Sequence, residues 1–187
     1  MSDELEAVRV PRGLTLTQPW CGLMAAGIKL VENRPRRMIK PSYIGKRLAL
    51  HASREIDLDV YDRIREIAPE LYGDFEEFTD EELANGDEVK RQPWYRLSRI
   101  TSSIIAVATL DSVVFDDTGL LRADIDRQLG DQRRWFFGPV GYVLRDVVAL
   151  PRPVPCKGML GLWTLPALVE LDVIGQLAGL GASGLSR

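Results

Sequence analysis

The sequence predicts an α+β fold, because it contains both strand-like and helix-like segments. Four segments alternate apolar with polar residues or are rich in β-branched ones, as strands are: residues 14–17, 46–52, 103–115 and 140–150. Helical spacing of apolar side chains is found between and after them. With 187 residues, 45% of them hydrophobic, the chain is long enough to bury the core of one domain.

The first predicted helix begins at Pro19, since a proline's missing N–H costs nothing in the first helical turn. Trp20, Leu23 and Met24 then form one apolar stripe. Gly27 suits a helix end that needs positive φ. This helix should therefore pack its stripe against the sheet.

Two further helices are predicted from apolar spacing. The second covers residues 55–68 and has an apolar stripe of Ile56, Val60, Ile64 and Ile67. The third begins at Pro166 and carries Leu168, Leu171, Ile174 and Leu177 at three-residue spacing. A short strand near residues 160–165 could complete the sheet.

The segment after the first helix is predicted to extend as a strand, with alternate side chains on opposite faces. We expect Ile28 and Leu30 to face the core, which carries Glu32 and Arg34 inward as well and leaves Lys29 at the rim. A buried carboxylate and guanidinium are costly unless they pair. They either form a purely structural salt bridge or line the floor of a pocket, and both alternatives remain open.

Positive charge is concentrated in residues 29–54, here called the basic segment, which holds eight Lys or Arg and one acid, Glu32. The whole chain nevertheless has a net charge of −3. A positive patch on an acidic body favours an anionic ligand, with nucleic acid as the first candidate. The alternative is a solvated basic loop without a partner.

Negative charge is concentrated in residues 66–88, which hold ten acids and no Lys or Arg. We expect this acidic segment to be a solvated excursion from the core fold. Alternatives are that it folds over the basic segment or forms the working surface for a protein partner.

Metal and cofactor chemistry are not expected. Two cysteines and a single histidine, His51, provide neither a disulfide framework nor a metal-ligand set. On a strand over residues 46–52, His51 points away from Leu48 and Leu50, and a structural role is the simpler interpretation. No apolar run reaches the ~18 residues that span a bilayer, and the first residues lack a secretory pattern, so we expect no membrane partner and a cytoplasmic location.

A cluster of cations and aromatic residues lies in the second half of the chain. Arg133 and Arg134 directly precede Trp135, Phe136 and Phe137. Such a cluster can stack bases while holding phosphate, although clustered aromatic residues commonly belong to a core.

The stretch GIKLVENR, residues 27–34, resembles the G-x-K-x-x-E-x-R signature of the ASCH domain family, which belongs to the PUA-like superfamily. The flanking QPW at 18–20 and GKRLALHA at 45–52 are also similar to ASCH sequences, as are parts of residues 135–142 and 157–163.

The likeness covers roughly residues 14–165, with an acidic insertion at about 66–90. It leaves a flexible N-terminal lead-in over residues 1–13 and a C-terminal helix and tail over residues 166–187.

The resemblance implies a small PUA-like β-barrel with helices packed at its ends and a cleft that meets RNA or a modified nucleobase. Lys29, Glu32 and Arg34 would lie in or beside that cleft, with Gln18 and Trp20 near its entrance. The expected partner is RNA or another single-stranded nucleic acid, with a modified nucleoside as the alternative, while protein partners stay unknown. Further candidate nucleic-acid-binding residues are Asn33, Arg36, Arg37, Tyr43, Lys46, His51, Trp135 and Tyr142.

A hydrolase acting on RNA or a modified nucleoside is the main alternative, with Lys29 and Glu32 as catalytic residues. The family that the chain resembles includes binding modules, ribonuclease-like members and a small bacterial branch. That branch hydrolyses the acetyl amide of N4-acetylcytidine with a lysine, a threonine and a glutamate. Here the residue three positions after Lys29 is Glu32 instead of threonine, so that mechanism does not transfer directly. A protein-interaction module built on the acidic segment is the third alternative.

Overall fold

A computed structural model of the chain describes residues 12–72, 92–116 and 122–184. The lead-in up to residue 11 and residues 73–88 of the acidic segment lie outside these ranges. The predictions made for them, including the acidic insertion, stay predictions.

The described elements comprise both strands and helices, in agreement with the predicted α+β class. The strands are β1 (Arg12–Gln18), β2 (Val31–Arg34), β3 (Arg47–Ile56), β4 (Ser103–Phe115), β5 (Val140–Pro155) and β6 (Leu162–Trp163). The α-helices are α1 (Trp20–Ala25), α2 (Asp59–Ile67), α3 (Pro93–Ser98), α4 (Arg122–Leu129) and α5 (Ala167–Gly184). Short 3₁₀ turns cover Pro41–Tyr43, Pro69–Tyr72 and Gly130–Trp135.

Within the described residues the strands form one mixed sheet in the order β2-β5-β4-β3-β1-β6. The β1–β3 pair is parallel, and the other neighbouring pairs are antiparallel. The edge strands β2 and β6 do not pair with each other there, so the sheet is open and the expected closed barrel is wrong. Closure fails because β6 is only two residues long and covers β1 only at Gly13 and Leu14.

The open sheet is nevertheless strongly curved. Arg34 on β2 donates a hydrogen bond through Nη2 to the Thr15 carbonyl on β1 at 2.8 Å, although three strands lie between β2 and β1. In a flat sheet four strand spacings would separate these backbones by roughly 19 Å, too far for one arginine side chain. Register shifts within β1–β3, β3–β4 and β4–β5 accompany the bending.

Both faces of the sheet are covered, and the core is correspondingly divided. Leu48 and Leu50 of β3 belong to a first cluster that includes Cys21 of α1. Ala49 belongs to a second cluster, which contains Val173 of α5. The predicted inward direction of Leu48 and Leu50 is therefore confirmed.

Two boundaries and one helix face differ from expectation. β3 continues to Ile56, which pairs with Gln18, so α2 begins only at Asp59. Among the α5 side chains whose burial the structure describes, Val173 is the buried one, while Leu168 and Leu171 are 82% and 65% exposed. Residues spaced by three move gradually around a helix and do not stay on one face. The face of α5 that packs on the sheet instead carries Val169, Val173 and Leu177, which are spaced by four. No helix among the described residues is long and apolar enough to cross a membrane.

Candidate functional site

The first residues of the motif form the turn that ends α1, and only its second half is a strand. Gly27 has φ of 74°, and the amides of Ile28 and Lys29 donate to the Leu23 carbonyl at 3.0 and 3.4 Å. These bonds wind the chain back against α1, so that β2 begins at Val31. The predicted alternation from residue 28 is therefore wrong.

Lys29 is the most deeply buried of the charged motif residues instead of a rim residue. It is 1% exposed, whereas Ile28 and Leu30 are only half-buried. Its ammonium donates to the Val31 carbonyl and lies 3.8 Å from Glu32 Oε2. The inward direction of Lys29 follows from the tight turn that precedes β2.

Glu32 lies between two cations. Arg34 Nε is 2.9 Å from Glu32 Oε1, and Lys29 approaches the other carboxylate oxygen. The side chains of Lys29, Glu32 and Arg34 are 2%, 11% and 22% exposed, so solvent reaches this group from the arginine side. We call these three residues the ion cluster.

Burial dominates the electrostatics of the ion cluster. It lowers the pKa of Lys29 below its ordinary value, and the Glu32 carboxylate partly opposes that shift. It raises the pKa of Glu32, although both neighbouring cations act in the opposite direction. The two pKa values are thus drawn towards each other, which lowers the cost of moving a proton between the two groups.

Cys21 is fully buried near the ion cluster. Burial and then the Glu32 carboxylate raise the pKa of its thiol. The thiol is therefore protonated at neutral pH and is unsuited to act as a nucleophile.

Aromatic side chains extend from the ion cluster to the surface. The Trp20 ring lies 5.4 Å from Lys29 Nζ and 6.2 Å from the ring of Trp135. It also lies 5.9 Å from the ring of Phe137, which is 38% exposed. Trp135 itself is fully buried, and its indole nitrogen has no hydrogen-bond partner among the described residues.

Gln18, a predicted cleft residue, is fully buried and fully engaged. Its Nε2 donates to the carbonyls of Leu97 and Ile100 at 2.9 and 2.6 Å. Its Oε1 accepts from the Gly22 amide at 2.9 Å. Gln18 therefore joins β1, α1 and the end of α3, and no side-chain hydrogen-bonding group is directed to a ligand.

Asn33 likewise has a positioning contact on each side of its amide. Nδ2 donates to the Trp135 carbonyl at 2.8 Å, and Oδ1 accepts from the Phe137 amide at 2.9 Å. Asn33 thus fixes the backbone that carries Phe137 beside Trp20.

Tyr142 is buried below the basic segment. Its hydroxyl accepts from the amides of Met38 and Ile39 at 2.6 and 2.9 Å. Arg36 and Arg37, which precede these amides, are exposed. Tyr142 therefore shapes the loop that displays these cations.

Tyr43 and Lys46 contact each other, with the ammonium 5.5 Å from the centre of the ring. Tyr43 is half-buried against the first core cluster, and Lys46 is exposed. This pair is a separate part of the basic segment.

His51 packs in the second core cluster, at 5.6 Å from the ring of Trp163. Its Nε2 is 3.0 Å from the Cys156 carbonyl, and Nδ1 has no hydrogen-bond partner among the described residues. A Cβ at Gly158 would lie 2.6 Å from Nδ1, so the loop closes over the ring. Burial lowers the pKa of His51, which favours a neutral ring without access to a ligand.

The structure thus brings together Trp20, the ion cluster and Asn33, whereas Gln18, Tyr142 and His51 have buried packing roles. It adds residues that the sequence did not single out. Gln132 accepts from the Leu30 amide at 2.6 Å and donates to the Ile28 carbonyl at 3.2 Å, so it holds the turn before β2. Only long-range contact reveals this role.

Arg63 of α2 is a second addition to the predicted set. Its guanidinium lies 4.1 Å from the centre of the Phe137 ring. In the sequence, Arg63 lies three residues after Val60, at the border of the apolar stripe of α2. This position was the sequence feature that could have indicated its role.

Among the described ranges there is no group of three or more His, Cys, Asp or Glu that could hold a metal ion.

Comparison with solved structures finds several that are similar to this chain. The crystal structure of ASCH from Zymomonas mobilis is similar at 15% identity and a TM-score of 0.48, covering 89% of this chain and 95% of that chain. Two mutant forms of that protein are similar at 16% identity, with TM-scores of 0.48 and 0.47 and coverage of 90% and 89% of this chain and 97% and 98% of theirs. The sequence matches no known family model and no curated protein.

Proposed function

We propose that this protein binds single-stranded RNA and holds one nucleobase, plain or modified, against the open side of the ion cluster. The observation that supports this most directly is the Glu32 carboxylate, which lies between two cations at 2.9 and 3.8 Å, one of them the partly exposed Arg34. Burying three charges is costly, and replacing such groups with apolar ones often stabilises a protein. A charged group retained at a partly accessible position is therefore a candidate functional site.

Each member of the ion cluster has a distinct proposed role. Arg34 is the most accessible cation and would contact a phosphate or a base carbonyl. Glu32 would accept a hydrogen bond from an exocyclic amine and so distinguish bases. Lys29, fully covered, would keep the carboxylate charged and oriented. Trp20, next to the cluster, would support a base by stacking.

The basic segment would bind the phosphates around that base. Its exposed cations include Arg36, Arg37, Lys40 and Lys46, and within residues 12–72, 92–116 and 122–184 no ion pair joins these four to an acid. Unneutralised cations release counterions from a nucleic acid on binding, which makes the affinity depend steeply on salt.

The test is the fluorescence anisotropy of a labelled single-stranded RNA at about 50 mM and about 200 mM salt. Arg34→Gln should weaken binding about tenfold or more, because a hydrogen bond with a charged donor is lost. Arg127→Gln is the matched control, since it removes an exposed arginine whose Asp124 partner lies 3.1 Å away on α4. Circular dichroism checks that both variants fold.

The proposal fails if wild-type protein shows no binding at the lower salt concentration. It also fails if folded Arg34→Gln binds as Arg127→Gln does. A single-stranded DNA of the same sequence measures the preference for RNA.

A hydrolase is the second candidate, supported by the opposed pKa shifts of Lys29 and Glu32. A lysine with a lowered pKa can accept a proton at lower pH, and a glutamate with a raised pKa can return it. The assay is incubation with RNA and, separately, with N4-acetylcytidine, and Glu32→Gln serves as the comparison. Turnover in wild type that Glu32→Gln abolishes supports this candidate, and its absence from wild type removes it.

A further inference from the structure

One exposed aromatic surface lies outside the ion cluster. In the run Trp135, Phe136, Phe137, the first two rings are 0% and 5% exposed, whereas Phe137 is 38% exposed. We call Phe137 together with Arg63 the aromatic shelf.

The shelf is built by contacts from three parts of the chain. The Arg63 guanidinium lies 4.1 Å from the Phe137 ring centre, which is the distance of a close cation–π contact. The centre of the Trp20 ring lies 5.9 Å from that of Phe137, with the two ring planes tilted by 50°. The Phe137 amide donates to Asn33 Oδ1 at 2.9 Å, so β2 fixes the position of the Phe137 backbone.

Trp20 links the shelf to the ion cluster. Its ring lies 5.9 Å from the Phe137 ring and 5.4 Å from Lys29 Nζ. Adjacent bases of a single strand can stack on neighbouring aromatic rings with little regard to sequence. Because Trp20 contacts both the ion cluster and Phe137, the two positions are close enough for adjacent nucleotides of one strand.

The positive charge beside the shelf favours a nucleotide as its ligand. Arg63 is exposed and carries a planar cation with donors that fit a phosphate, and Arg34 lies on the neighbouring β2. An apolar peptide would gain nothing from these cations, whereas a nucleotide supplies both a flat ring and a negative charge.

We propose that the aromatic shelf is a second base-binding position, which stacks the nucleotide next to the one at the ion cluster. The proposal rests on the proposed function and makes it more specific. The ligand is single-stranded RNA of at least two nucleotides, and a mononucleotide fills only one of the two positions.

The test compares the affinities of wild type and variants for a mononucleotide, a dinucleotide and a tetranucleotide RNA. Phe137→Leu keeps an apolar side chain but removes the flat face, while Phe137→Tyr retains it. Stacking on an aromatic side chain corresponds to roughly 5- to 150-fold in affinity. Phe137→Leu should therefore weaken dinucleotide and tetranucleotide binding to that extent and leave mononucleotide binding within about twofold. Phe137→Tyr should bind like wild type.

Arg63→Ala and Arg65→Ala form a matched pair, because each removes one exposed arginine from α2. Only Arg63 lies over Phe137, whereas Arg65 lies over Tyr72. Arg63→Ala should therefore weaken dinucleotide binding more than Arg65→Ala. This pair tests the shelf independently if Phe137→Leu fails to fold.

The outcomes separate the two proposals. If Arg34→Gln weakens binding but Phe137→Leu and Arg63→Ala bind all three ligands as wild type does, the shelf proposal is overturned and the proposed function stands. If wild type binds none of the three ligands, the proposed function is overturned together with the shelf.

Discussion

Replacing Gln18 with methionine tests whether this residue holds the fold or contacts a ligand. The two side chains are similar in length, but methionine neither donates to the carbonyls of Leu97 and Ile100 nor accepts from the Gly22 amide. The Leu97 carbonyl keeps one partner, because it also accepts from the Ile100 amide at 3.2 Å. The Ile100 carbonyl and the Gly22 amide lose the partners that Gln18 provides, at 2.6 and 2.9 Å.

The expected loss follows from these two groups. Each buried polar group left without a partner costs about 1–3 kcal/mol, so Gln18→Met should lower the free energy of unfolding by about 2–6 kcal/mol. Whole domains have a total of only about 5–15 kcal/mol. For a chain of this size the same loss lowers Tm by roughly 5–20 °C.

The assay is urea and thermal unfolding followed by circular dichroism. Gln128→Met, on the exposed face of α4, is the matched control and should change stability by less than about 0.5 kcal/mol. If Gln18→Met is as stable as Gln128→Met yet loses RNA affinity, the positioning role is wrong and Gln18 contacts the ligand.

Three further predictions concern packing and pH. Gly22→Ala should lower the urea midpoint through a loss of about 1–3 kcal/mol, since a Cβ would lie 2.4 Å from the backbone of α3; an unchanged midpoint contradicts the close approach. Tyr142→Phe should speed hydrogen exchange at the amides of Met38 and Ile39, which lose their acceptor, and equal protection in both proteins refutes this. Burial raises the pKa of Tyr72 to about 12 from 10.0, so its contribution to stability is complete below pH 10.0 and is lost as pH rises through about 12. Tyr72→Phe should therefore flatten the alkaline fall in stability, and coincident pH profiles would count against it.

Under the two proposals, the ion cluster and the aromatic shelf together hold a single strand of RNA on this open sheet. Both lie around Trp20, and Asn33 links the motif strand to the backbone of Phe137. A substitution in the motif could thus alter the shelf without touching it. Binding measurements on motif variants are therefore best made with ligands of more than one length.

Several features could be predicted from local sequence because local chemistry determines them. The run of β-branched residues at 103–115 coincides with β4, a strand largely buried on both faces. The contact of Glu32 with Lys29 and Arg34 was also predictable, since the three lie within six residues and opposite charges at such spacing can meet. Their relative depth was not, because hydrogen bonds to the Leu23 carbonyl delay the start of β2.

Other features depend on residues far apart in the chain. Gln18 has polar atoms suited to a ligand, and only α3, 79 residues away, supplies the carbonyl of Leu97 that engages it. Trp135 and Phe137 are chemically alike and two positions apart, yet one is buried and the other exposed. Sequence pattern does not separate such cases, because burial is decided by every element that packs against a side chain.

Composition and local spacing were enough to predict the α+β class, the concentration of positive charge in residues 29–54 and the short motif whose charged side chains meet. These features depend on residues only a few positions apart. Only the assembled fold shows that the sheet stays open, that Lys29 lies deepest and that Phe137, beside Arg63, reaches the surface. Strand pairing and burial are set by contacts between distant segments, whose geometry exists only once the whole sheet has formed.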